Sequence, residues 1–73
     1  RADIWQATWS TLDMVYLFQR PESMQRAWDK ARRDMRPGTW LVSLEFEVQG
    51  VTPFARIALE GDRPVWVYRV PEQ

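Results

Sequence analysis

The stretch "DMVYLF", Asp13 to Phe18, most constrains what this chain can fold into. Five apolar residues follow one another without alternation, which is the habit of a strand buried on both faces of a parallel sheet. Such a strand needs neighbours on both sides and cover on both faces, yet the whole sequence has 73 residues. A single domain of that length hides only about 60% of the surface its unfolded chain exposes, so its stability margin is thin. The sequence holds no cysteine and no histidine. That removes disulfides, thiolate chemistry, the commonest general base and the commonest metal ligand. Association with a partner subunit is the remaining reinforcement for so small a fold.

Residues 21–48 supply a helix and a second strand. Pro21 suits the first helical position, and Glu22 suits the positive end of the helix dipole. Met24, Ala27, Trp28, Ala31 and Met35 then recur at spacings of 3 and 4, an apolar stripe that predicts a helix over 21–35. Gln25, Arg26, Asp29, Arg32 and Arg33 make its solvated side. Pro37-Gly38 stops it. "TWLVSLEFEV" predicts a strand over 40–48 with Trp40, Val42, Leu44, Phe46 and Val48 on one side and Ser43, Glu45 and Glu47 on the other. Strands 13–18 and 40–48 around helix 21–35 form a βαβ unit with parallel strands. Beyond Gly50 and Pro53, strands over 56–59 and 65–70 flank "EGDRP" as an antiparallel hairpin. The fold class is α/β, in one domain over 1–73. At the amino end, Trp5, Trp9 and Leu12 at i, i+4 and i+7 fit a loop with one helical turn.

Ten basic and ten acidic residues cancel, so nothing in the net charge favours a nucleic-acid partner. No apolar run approaches the roughly 20 residues of a membrane span. No signal-peptide pattern opens the sequence, and a cytoplasmic setting is the expectation. Five tryptophans serve either as core filling or as an aromatic binding surface.

The order of elements, and the wording "DMVYLF…RPESM…DMRPGTWLVSLEFEVQG…RPVWVYRV", resemble the C-terminal half of a class I S-adenosylmethionine-dependent methyltransferase. Within that superfamily the small protein-lysine methyltransferase group is the most similar. The resemblance implies a partial Rossmann-like sheet whose fourth and fifth strands are 13–18 and 40–48. It implies S-adenosylmethionine as cofactor and Asp3, in "ADIW", as an acid on the adenine side. It also implies that Gln19 and Arg20, after the first strand here, face the substrate. The glycine-rich turn that lets a backbone approach such a cofactor has no counterpart, because Gly38, Gly50 and Gly61 stand far apart. The chain alone is therefore expected not to bind the cofactor.

Without the strands that flank it in that family, strand 13–18 becomes an unpaired apolar edge, and a homodimer pairing it antiparallel with its own copy is expected. Trp5 and Trp9 would then cover the sheet face that the helix leaves bare. Two other readings stay open. A small dimeric enzyme would rely on carboxylates in the manner of a glycosidase, with Glu45 and Glu47 roughly 6.5–7 Å apart on one strand face. The wet end of an outgoing strand accounts for the same two residues. Those acids with Glu60 or Asp62 show no metal-ligand spacing. A module of exposed Trp and Arg is the other reading.

Overall fold

The computed structural model describes residues 4–58, 61 and 63–72. In chain order it contains β1 (Met14–Leu17), α1 (Pro21–Asp34), β2 (Trp40–Leu44), β3 (Ala55–Ala58) and β4 (Pro64–Arg69). The four strands form one sheet in the order β1-β2-β4-β3. β1 and β2 run parallel, as a helical crossover requires, while β4 is antiparallel to both β2 and β3. Among the described residues β1 is thus an outer strand, with β2 as its one neighbour.

Register determines which side chains share a face. Val15, Leu41 and Tyr68 stand in one row across the sheet and are 9%, 0% and 1% exposed. Above this row lies α1, with Pro21 at its start, Glu22 in its first turn and the stripe Met24, Ala27, Trp28, Ala31 and Met35 buried. The next row, Tyr16, Val42, Val67 and Ala55, faces the opposite way. Here Met14, Tyr16, Phe54 and Ile57 remain exposed, so this face has no covering layer among the described residues. The first strand is accordingly buried on one face and open on the other, where its apolar run predicted cover on both.

The second strand departs furthest from expectation. It ends at Leu44 instead of residue 48, because Glu45 takes a left-handed backbone conformation with φ 78°. A side chain there costs on the order of 1–2 kcal/mol and cannot continue a strand. The break reverses the facing of the residues after it. Ser43 points under α1 and is fully buried, its hydroxyl donating to the Phe46 carbonyl at 2.5 Å. Val48, expected on the side of Trp40 and Val42, returns to the core beneath α1 instead. Its amide donates to the Tyr68 hydroxyl at 2.7 Å, and the Tyr68 ring packs against Trp28 at 5.6 Å.

The amino-terminal segment also lies on the other side from the one expected. Trp9 is 3% exposed and belongs to the core cluster of Met24, Ala27, Trp28 and Ala31, with Trp5 packed at its margin. The cause is on α1. The Lys30 ammonium sits 5.0 Å from the Trp9 ring centre and 2.6 Å from the Asp34 carboxylate. The guanidinium of Arg26 lies 4.3 Å from the centre of Trp5. An aromatic side chain gains both apolar cover and a cation on that surface. At the other end of β2, Gly38 turns with φ 87° and its amide donates to the Val70 carbonyl at 2.8 Å. Glycine serves the turn, since other residues are strained at this φ, while a Cβ there would only touch the flexible end of Arg69. No helix among the described residues is long and apolar enough to cross a membrane.

Candidate functional site

Open α/β sheets bind ligands beyond the carboxyl ends of their parallel strands. In this chain that edge lies where β1 and β2 finish side by side. Phe18 follows β1 and Phe46 follows β2 by two residues. Their rings are parallel, with centres 6.4 Å apart. Phe18 is 56% exposed and opens the turn Phe18-Gln19-Arg20 that leads into α1 at Pro21. Arg20 caps the helix with its backbone alone, and its guanidinium lies 3.9 Å from Glu22 in open solvent.

Glu45 closes the other side of this edge. Its strained backbone is held at two points: its amide donates to the Pro64 carbonyl at 2.7 Å, and its carbonyl accepts from the Trp66 indole at 3.1 Å. Residues kept in such conformations persist only where surrounding structure overdetermines them, and they gather at functional sites. The Glu45 carboxylate lies 3.8 Å from Arg63, whose guanidinium also sits 6.0 Å from the centre of Phe18.

Of the residues singled out in the sequence, Gln19 and Arg20 stand at this edge beside Phe18. Glu45 and Glu47 do not share a strand face, because both lie beyond the end of β2. Glu45 meets Arg63. The charge of Glu47 instead bears on the Tyr68 hydroxyl, which burial above all keeps from ionising. Asp3, Glu60 and Asp62 lie outside the described residues. Among the described residues no three acids converge as metal ligands would. Three tryptophans of the supposed binding module already carry the chain's own cations: Arg26 on Trp5, Lys30 on Trp9 and Arg56 on Trp66. Phe18, Phe46 and Arg63 were not foreseen as site residues. The one signal for the two phenylalanines is that each stands just past the same end of a parallel strand.

A nucleotide-type cofactor needs a glycine-rich turn between a strand and its helix. The turn here contains Gln19, Arg20 and Pro21 and no glycine. Gly38 is committed to the opposite end of β2, against Arg69.

Comparison with known proteins bears on the family and the fold. The family model described as the ANTKMT methyltransferase domain matches residues 1–55. Among solved structures, an RNA methyltransferase from Salinibacter ruber in complex with S-adenosyl-L-homocysteine superposes with a TM-score of 0.91 at 27% sequence identity. The match covers 100% of this chain and 47% of that one, so the chain spans about half the length of this neighbour. No curated protein matches the sequence.

Proposed function

Because the chain belongs to the ANTKMT methyltransferase domain family, we propose that it forms the substrate-facing half of an S-adenosylmethionine-dependent methyltransferase. The observation that carries this reading is the neighbour's geometry. Every strand and the helix of this chain fit within the half of a methyltransferase that was solved with S-adenosyl-L-homocysteine, the product left when S-adenosylmethionine gives up its methyl group. In this reading β1, β2 and the antiparallel hairpin hold the substrate edge, with Gln19 and Arg20 beside the acceptor and Asp3 at the adenine side. The glycine-rich turn that grips the cofactor comes from outside these residues. A chimera tests it: this chain replaces the matched 47% of the Salinibacter ruber protein. Micromolar binding of S-adenosyl-L-homocysteine is expected. A folded chimera without that affinity would overturn the reading.

The isolated chain is then without measurable affinity for S-adenosylmethionine, and calorimetry showing micromolar binding would refute this. Its outer strand calls for a partner, since backbone donors and acceptors along β1 need hydrogen bonds. A second copy satisfies them through antiparallel pairing of β1 with β1, joining two four-stranded sheets into one. Such a two-fold axis stands normal to the sheet, so both helices fall on one side and the Tyr16–Val67 face stays open. Light scattering behind a sizing column at micromolar concentration decides the matter, and a well-behaved monomer rules the dimer out.

A further inference from the structure

We propose that the open sheet face, with Arg69 at its margin, binds an anionic amphiphile: a single aliphatic chain ending in a carboxylate. The face lies on the side of the sheet away from α1, and its charged end lies at the opposite end of β2 from the Phe18–Glu45 edge. The inference therefore goes beyond the methyltransferase reading and does not depend on it.

Register supplies the apolar part. Arg69 shares a row with Met14 and Trp40, and the next two rows, from Tyr16 to Ala55 and from Leu44 to Ile57, carry no charge. An open groove of about 410 Å³ runs over these rows, and its lining includes no charged, hydroxyl or amide side chain. Trp40 and Phe54 meet edge to face along it at 5.0 Å. A sugar or nucleotide needs several convergent polar partners and finds none here. An aliphatic chain gains by covering Phe54 and Ile57, which are 66% and 49% exposed. From Trp40 to Leu44 the strand rises about 13 Å, the length of roughly ten carbons in an extended chain.

Arg69 supplies the charged part. Arg20, Arg33, Arg36 and Arg63 each have a carboxylate partner, Arg26 and Arg56 lie over tryptophan rings, and Arg32 is engaged as well. Among the described arginines Arg69 alone has no ion pair, hydrogen bond or ring contact. Its guanidinium lies beside Gly38, where no side chain blocks approach, in a hollow of about 430 Å³ bordered by Pro37 and Pro71. Glu72 also borders this hollow and makes no ion pair with Arg69. A guanidinium fork receives a carboxylate through two parallel N–H bonds. Charge complementarity thus sets the sign of the head, and the groove sets the nature of the tail. A second copy stacked on this face brings another apolar surface and another Arg69, with no acid in its rows. Pairing along β1 extends the sheet sideways and leaves the face as it is.

The test uses the whole 73-residue chain and octanoate, followed by nuclear magnetic resonance at pH 7. Octanoate is expected to bind with a Kd of about 1 mM, the scale for so small a ligand, and to shift the ring resonances of Trp40 and Phe54 and the amide of Gly38. Octanol and octyltrimethylammonium should bind about threefold more weakly, the scale of an exposed ion pair. Arg69→Gln should erase that preference, and Glu72→Gln should tighten octanoate. Phe54→Ser should weaken all three probes; Phe54 is exposed enough that its variant keeps the fold. Equal affinity for octanol would mean an apolar patch and overturn the inference. So would an Arg69→Gln variant that binds octanoate as well as before, acetate that matches octanoate, or shifts confined to residues around α1. A face closed between two copies, with no octanoate bound, would overturn it too. The readout needs no cofactor. Its failure leaves the methyltransferase reading standing, and failure of the chimera leaves the amphiphile site standing.

Discussion

The Tyr68 hydroxyl accepts the Val48 backbone amide at 2.7 Å inside the core, tying the last strand to the loop that leaves β2. Both residues are 1% exposed, so water does not replace this bond if it is lost. Burial raises the Tyr68 pKa above its ordinary 10.0, and the charge of Glu47 raises it further against the opposing effect of the Val48 amide.

Tyr68→Phe should therefore destabilise the chain by about 1–3 kcal/mol, the cost of stranding a buried donor. Urea unfolding measures it. The pH dependence has a definite sign. The folded state keeps the phenol proton above pH 10.0, where the unfolded chain releases it. Stability contributed by this group is complete below pH 10.0 and is lost as pH rises toward the folded value. The Phe variant should lack that part of the alkaline decline.

A second dependence lies at acid pH. The Lys30 ammonium, hydrogen-bonded to Asp34 at 2.6 Å, holds the Asp34 carboxyl below its ordinary 3.8. Its stabilising contribution is present above pH 3.8 and fades as pH falls through the lower folded value. Asp34→Asn should flatten this acid limb. It should also destabilise at neutral pH by up to about 3 kcal/mol, because Lys30 is buried and would lose its partner. A fluorescence-monitored urea series between pH 2 and 7 shows both effects.

Glu45→Gly should stabilise the isolated chain. Glycine accepts φ 78° without a Cβ clash, and relief of about 1–2 kcal/mol outweighs the loss of an exposed ion pair with Arg63 and the added freedom of the unfolded chain. A net gain of about 0.5–1 kcal/mol is expected from the urea midpoint. A loss of stability would show that the conformation at Glu45 is not strained.

The open sheet face makes a different prediction. Ile57→Thr and Phe54→Ser replace exposed side chains on that face, so each should cost no more than about 1 kcal/mol, the larger loss falling on Phe54, whose ring packs against Trp40 at 5.0 Å. Both should lower the fluorescence of a dye that binds apolar surface. Tyr16→Lys places a charge on the outer strand and should leave the chain monomeric if β1 pairs with β1. Sizing with light scattering reads that outcome.

Much of the architecture was legible in the sequence. The helix announced itself through Pro21, Glu22 and five apolar residues on one stripe, because helical periodicity is written in side chains three and four apart. Parallel pairing of β1 with β2 followed from the helical connection between them. The end of β2 was not legible: Glu45 carries no glycine or proline signature, and its conformation is imposed by hydrogen bonds to the Pro64 carbonyl and from the Trp66 indole, 19 and 21 residues further on. The pairing of Glu45 with Glu47 failed for the same reason. The site's aromatic pair stayed hidden because the two phenylalanines are 28 residues apart.

Local pattern alone determined that the described residues make one amphipathic helix and four short strands, the first of them unbrokenly apolar. Those properties depend on periodicities of two and 3.6 residues, which neighbouring side chains display directly. Only the tertiary structure decided that Trp9 lies under α1 and not on the bare sheet face, and that Phe18, Glu45 and Arg63 meet at one edge. Such placements depend on cations, rings and backbone groups far apart in sequence, whose energies exist only once the sheet register brings them within a few ångströms.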